Sequence, residues 1–112
     1  MNYKFDFNFK LTKLKDFNFV FQDPNIIRNL YLTIFSRKNI LTYPRIGISV
    51  SKKYITLANK RNRIKRLVRE SFRLNKNTLP FMDFVIIIKK KIVDLNNIEI
   101  LKKLEILWKF YF

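Results

Sequence analysis

The chain has 112 residues, of which 24 are Lys or Arg and 8 are Asp or Glu, so its formal net charge is +16. The length is that of one small domain, 48% hydrophobic residues suffice for a core, and the charge indicates a polyanionic partner, either nucleic acid or an anionic membrane surface. The absence of Cys and His excludes disulfides, Cys/His zinc sites and imidazole acid–base catalysis, and a single glycine excludes glycine-rich phosphate loops.

The sequence also lacks the features of secreted and membrane proteins. Residues 1–10 alternate Phe with polar residues and contain no apolar stretch typical of a signal peptide. The longest strongly apolar run, Phe84–Ile88, is far shorter than the ~20 residues needed to cross a bilayer. We therefore expect a cytoplasmic protein with no membrane partner.

The N-terminal region predicts an arm followed by a short helix. Residues 1–11 are expected to form an arm with some extended backbone, and residues 12–112 a single domain. Thr12 is the predicted N-cap of a helix over Lys13–Gln22, because Thr is a favoured capping residue. Pro24 ends this helix, since the residue before a proline is restricted to extended backbone.

Two strands and the most regular helix of the chain come next. Apolar residues alternate over Asn29–Phe35 and again over Arg45–Val50, which predicts two half-buried strands. Asn59–Leu74 follows the spacing of an amphipathic helix. Its predicted buried stripe consists of Ile64, Leu67, Val68, Ser71 and Phe72.

The C-terminal third predicts a central strand and a last helix. Asp83–Ile88 is a continuous apolar run after its first residue, which favours a strand buried on both faces, with Asp83 in a turn or cap role. Asn96 and Glu99 have the spacing of a capping box, so the last helix begins there, and Trp108 on its apolar stripe is expected in the core. The intermixed elements predict an α/β protein, a two-layer sandwich of a small mixed sheet and about three helices.

The central helix separates an apolar face from a basic one. The polar positions are almost all cationic, and like charges recur at i, i+4, which destabilises a helix unless a polyanion is present. A solvated surface helix normally mixes both signs, so that interpretation is disfavoured. We call the following positions the basic face: Arg61, Asn62, Arg63, Lys65, Arg66, Arg69 and Arg73.

The composition of the basic face favours RNA as the polyanion. The guanidinium fork of arginine matches phosphate oxygens and stacks on bases. Lys52 and Lys53 precede the helix and widen the charged surface. Asn62 either hydrogen-bonds a base edge or a 2′-hydroxyl, or merely caps or decorates the helix.

These motifs resemble those of the bacterial ribonuclease P protein subunit. The resemblance is carried by the run from Arg45 to Lys53 (RIGISVSKK) and by the helix from Arg61 to Arg73 (RNRIKRLVRESFR). It extends to the first helix, the Leu79–Val85 segment and the last helix, leaving about the first ten residues outside. The basic C-terminal tail of some members is missing from this chain.

The resemblance implies a specific fold and function. Family members have the order α-β-β-β-α-β-α with a left-handed crossover, against the usual right-handed preference. The family is the protein component of an endoribonuclease that removes the 5′ leader from precursor tRNA. One RNA subunit binds one protein, holds the Mg²⁺ ions and performs the hydrolysis, so no protein catalytic residue, no protein-held metal and no further protein partner are expected.

The first helix has two phenylalanines with two possible roles. Phe17 and Phe21 are four residues apart and are either core residues or, as the resemblance implies, part of a cleft for the single-stranded leader, where stacking contributes ~1–3 kcal/mol per base. Phe19 and Val20 are the competing core candidates. A strand position around Tyr31–Ile34 is expected to complete the cleft.

Three other functions remain as alternatives. A structural RNA-binding protein has the same electrostatics and differs only in motif order. An anionic-membrane binder needs an exposed apolar helix face, which the sheet requires here. A free-standing nuclease needs clustered acids for metal ions, whereas the eight acids are scattered singly along the chain: Asp6, Asp16, Asp23, Glu70, Asp83, Asp94, Glu99 and Glu105.

Overall fold

The computed structural model describes residues 9–112, which form an α/β fold. Most of the predicted N-terminal arm, residues 1–8, lies outside the described residues. The helices and strands are α1 (Leu14–Gln22), β1 (Asn25–Arg28), β2 (Leu32–Lys38), β3 (Arg45–Ser49), α2 (Ala58–Asn75), β4 (Met82–Ile88) and α3 (Asn97–Trp108). This order and the mixed sheet confirm the predicted α/β class. The predicted two layers become three, because α1 lies on one face of the sheet and α2 and α3 lie on the other.

The four strands form one sheet in the order β1-β2-β4-β3. β1, β2 and β4 pair antiparallel, whereas β3 and β4 pair parallel and are connected through α2. The apolar run in β4 lies in the interior of the sheet, as its sequence predicts. The handedness of the β3-α2-β4 crossover stays a prediction.

Helices cover both faces of the sheet. β4 is apolar at successive positions, so its side chains enter a core on each face. Phe84 and Ile86 face the large core, which α2 and α3 close. Val85 packs on the opposite face with Leu11 and Val20, where α1 lies. Val20 is therefore the core residue of α1, and Phe19 is only half-buried.

The hairpin of β1 and β2 corrects the first predicted strand. The Asn29–Phe35 prediction is shifted, because Asn29 forms a turn in which its side-chain oxygen accepts from the backbone N–H of Tyr31 at 2.7 Å and of Leu32 at 2.9 Å. β1 was missed because it is a mostly exposed edge strand without apolar alternation. The preference of Asn for turns is the sequence signal that would have indicated a hairpin at Asn29 and therefore a strand before it.

The beginning of α1 also differs from the prediction, whereas that of α3 does not. Lys13, not Thr12, is the N-cap residue of α1, and within the described residues no side chain caps this helix end. In α3 the Asn96 side chain accepts from the Glu99 N–H and the Glu99 side chain accepts from the Asn96 N–H, so the capping box is confirmed. Trp108 is fully buried and donates to Ser71 Oγ at 2.9 Å, which confirms its core position.

Residues just before α1 cover the exposed edge of β3. Lys10 pairs in parallel with Ile46, and the Leu11 N–H donates to the Ile46 carbonyl at 2.9 Å. Phe9 packs edge-to-face on Tyr43 with ring centroids 5.4 Å apart. This short segment protects a sheet edge that is otherwise open to pairing with another chain.

Candidate nucleic-acid interface

The basic face lies on the outer side of α2, as its sequence predicts. The predicted apolar stripe of Ile64, Leu67, Val68, Ser71 and Phe72 is buried against the sheet and α3. Asn62 and Arg66 are exposed, and the other members of the basic face are half-buried. The face that the sequence assigns to a polyanion is therefore the outer face of α2. The opposite, apolar side of the helix holds it against the core.

Two arginines at the start of the basic face also have structural contacts. Arg61 donates from one guanidinium nitrogen to the carbonyls of Ile55 at 2.9 Å and Thr56 at 2.8 Å. Arg63 donates to the Asn97 side chain at 3.0 Å, which joins α2 to the beginning of α3. These contacts orient both guanidinium groups and leave part of their donor capacity for phosphate.

The far end of the basic face contains its one acidic neighbour. Glu70 pairs with Arg73 one turn later, and this hydrogen bond lowers the pKa of Glu70 and raises that of Arg73. Part of the like-charge repulsion along α2 is therefore relieved within the helix. Lys52 and Lys53 are exposed in the turn between β3 and α2 and extend the cationic surface.

A groove of about 480 Å³ lies between α1, β3, β4 and α2. We call it the aromatic groove, because one turn of α1 places both predicted phenylalanines in its wall. It is lined by Leu14, Phe17, Asn18, Phe21, Ile48, Ser49, Val50, Lys65, Val85 and Ile87. Its apolar floor and basic edge are the combination that binds single-stranded nucleic acid.

The two phenylalanines of the aromatic groove differ in burial. Phe17 is half-buried and its ring lies on Gly47, where an added Cβ would come within 2.6 Å of ring atoms. The single glycine of the chain therefore allows this ring to approach the sheet. Phe21 is 43% exposed, so its ring is the one better able to meet a base.

A third aromatic residue supports Phe21. Phe35 in β2 contacts it edge-to-face, with ring centroids 5.2 Å apart. The strand position expected around Tyr31–Ile34 stays a prediction: Ile34 points into the large core, whereas Thr33 lies on the same side of β2 as Phe35. The sequence did not identify Phe35, because its contact with Phe21 appears only when α1 is placed on the sheet.

Lys65 joins the two predicted surfaces. It belongs to the basic face of α2, yet it also lines the aromatic groove. The sequence could not show this, because the groove is formed by residues of α1, β3, β4 and α2 that are far apart along the chain. The groove therefore has a cation of α2 at its edge.

Asp83 is not a turn or cap residue, and that prediction was wrong. Only 1% of it is exposed, and its carboxylate accepts from Arg45 Nε at 2.9 Å and from Arg45 NH2 at 2.7 Å. Asn39 donates to the same carboxylate at 3.0 Å. The bond to Asp83 is the main cause that raises the pKa of Arg45.

In residues 9–112 the acidic side chains are dispersed, and the helices are short or polar. Across residues 9–112, acidic side chains do not gather in any group of three that could hold a metal ion. In the same part of the chain, every helix is too short or too polar to cross a membrane.

Comparison with known proteins identifies the family. The family model described as Ribonuclease P matches residues 5–111. The chain belongs to the ribonuclease P protein family. It is similar to the ribonuclease P protein component of Baumannia cicadellinicola, with 50% identity over 96% of this chain and 94% of that one. Its identity to the Edwardsiella ictaluri protein of the same name is 54%, over 83% of this chain and 78% of that one.

Solved structures of the family have the same fold. The ribonuclease P protein of Staphylococcus aureus matches with a TM-score of 0.86 and 29% identity, covering 91% of this chain and 94% of that one. The protein of Thermotoga maritima matches with a TM-score of 0.79 and 35% identity, covering 89% and 94% of the two chains. The motif resemblance found in the sequence is confirmed.

Proposed function

We propose that this chain, as the protein component of ribonuclease P, binds two different RNA segments. The basic face of α2, with Lys52 and Lys53, binds the catalytic RNA subunit in a 1:1 complex. The aromatic groove binds the single-stranded 5′ leader of precursor tRNA. The complex then removes the leader and leaves the mature tRNA 5′ end.

One observation carries this proposal: the basic face of α2 and the aromatic groove lie side by side. Arginine-rich surfaces bind duplex or folded RNA mainly through phosphates. An apolar groove with an exposed ring suits unpaired bases. Because Lys65 belongs to both surfaces, the two RNA segments meet at one place on the protein.

The chemistry is proposed to belong to RNA. The sequence contains no His that could act as a general acid or base, and its Asp and Glu residues are scattered along the chain. We propose that the RNA subunit holds the Mg²⁺ ions and that the protein supplies binding and orientation, in the cytoplasm and without a membrane or a further protein partner.

A cleavage assay tests this division of labour. Purified protein alone is expected to leave precursor tRNA intact, and protein with its cognate RNA subunit and Mg²⁺ is expected to release the leader. A matched preparation treated with nuclease, which destroys the RNA subunit, should lose activity. Specific cleavage that survives this treatment would show that the protein itself is the nuclease.

Arg66→Ala tests the basic face. If Arg61, Arg63, Lys65, Arg66 and Arg69 each neutralise one phosphate, they contribute a log–log salt slope of about −3.5 to −4.5. Arg66 is exposed and sits mid-face, so its removal should weaken RNA-subunit binding and flatten the slope by about one unit. Filter binding or fluorescence anisotropy at several salt concentrations measures both quantities.

One control variant and one further basic-face variant separate a dedicated surface from diffuse charge. Lys102→Ala removes an exposed cation from α3 and is expected to change little. Arg61→Ala should weaken binding and also lower the melting temperature, because Arg61 fixes the turn before α2. Equal losses for Arg66→Ala and Lys102→Ala would mean that the basic face is not a distinct site.

A further inference from the structure

Three charged residues lie side by side across the sheet beneath α1. In the strand register, Arg37 of β2 and Arg45 of β3 both lie opposite Asp83 of β4. We call Arg37, Asp83 and Arg45 the charged row. The central carboxylate is buried and forms a two-pronged ion pair with Arg45.

The two arginines of the charged row reach opposite ends of α1. Arg45 NH2 lies 3.7 Å from the carboxylate of Asp16 in the first turn. Arg37 donates to the carbonyl of Phe19 in the last turn at 2.8 Å, and its guanidinium lies 4.0 Å from the centroid of the Phe19 ring. The sheet therefore holds the helix at both ends.

α1 depends on such contacts because its own sequence stabilises it poorly. It has only nine residues, fewer than an isolated helix needs in water. Its last turn has no basic residue, although cations there are favourable for the helix dipole and for the unpaired carbonyls. Arg37 supplies from β2 the positive charge that the last turn of α1 lacks.

We propose that the charged row positions α1 and thereby sets the width of the aromatic groove, so that Arg37 acts as a positioning residue for leader binding. Phe17 and Phe21 extend from the side of α1 opposite to Asp16 and Phe19, which places the arginines behind the groove wall. The inference rests on the proposed function of the groove as the leader site. It assigns to Arg37 an effect on the leader without contact to it.

Arg37→Met tests the proposal, with Lys38→Met as the matched control. Lys38 is exposed, adjacent in β2 and of equal charge. Arg37→Met should reduce the preference for leader-bearing precursor over mature tRNA by about three- to tenfold, the range typical of one lost helix-end contact to a charged group. RNA-subunit affinity and the salt slope of leader binding should stay unchanged, and Arg37→Lys should restore most of the preference.

A double-mutant cycle shows whether Arg37 acts through the groove. In a Phe21→Leu background, which removes the flat ring, Arg37→Met should cost much less than it does alone. An additive loss, or a salt slope flattened by about one unit, would overturn the proposal, since the latter indicates a direct phosphate contact. If Phe21→Leu alone has no effect, the leader site itself is misplaced. If only Arg37→Met has none, the positioning role alone is wrong.

Discussion

Arg45→Met is expected to lower the free energy of unfolding by about 3–5 kcal/mol, because it leaves a buried carboxylate without its cation. Asp83 is only 1% exposed, so solvent cannot replace the lost guanidinium, and Asn39 remains as one neutral donor. The same substitution removes the 3.7 Å contact to Asp16 of α1. Urea denaturation followed by circular dichroism measures the change.

The double variant Arg45→Met/Asp83→Leu is the control for this loss. Replacing both members of a buried ion pair with apolar residues of similar size is often neutral or stabilising, so the double variant should regain much of the lost stability. If it is no more stable than Arg45→Met, the cost comes from the shape of the Arg45 side chain and not from an unpaired charge.

Phe21→Leu is expected to weaken discrimination between leader-bearing precursor and mature tRNA by about 5- to 150-fold, the range that corresponds to loss of ~1–3 kcal/mol of stacking on one base. The variant keeps apolar bulk and loses only the flat ring. Because Phe21 is 43% exposed, the loss of its edge contact with Phe35 should lower the melting temperature only slightly. RNA-subunit affinity should be unchanged.

The matched control for Phe21→Leu is the same chemical change at an exposed ring elsewhere. Phe110→Leu alters a residue that is 67% exposed after α3, and leader discrimination should stay at its original value. A lower melting temperature for Phe21→Leu, with equal binding losses for precursor and mature tRNA, would assign Phe21 to the core and contradict the leader groove.

The features that the sequence predicted well are those with a local period. α2 repeats its core positions at helical spacing from Ile64 to Phe72, and all five predicted core positions are buried. The capping box of α3 lies within four residues, and both of its hydrogen bonds are present. The fold class followed from these elements, and the motif order added the family.

The features that the sequence did not predict depend on contacts between distant residues. Asp83 looks like a turn residue at the start of a strand, because its partner Arg45 is 38 positions away. The approach of Phe17 to Gly47 likewise appears only when α1 is placed on the sheet. β1 lacked a signal because an exposed edge strand need not alternate.

Site-specific photocrosslinking tests most directly the claim that two surfaces bind two RNA segments. The chain has no cysteine, so a single introduced cysteine carries a benzophenone label at one known position. The labelled variants are Arg66→Cys on the basic face, Asn18→Cys at the aromatic groove and Lys102→Cys on α3. Position 66 should crosslink to the RNA subunit with either precursor or mature tRNA. Position 18 should crosslink to leader nucleotides, and only when the leader is present. Position 102 should give little crosslinked product. Crosslinks from positions 18 and 66 to the same RNA segment, or a position-18 crosslink that does not depend on the leader, would contradict the account.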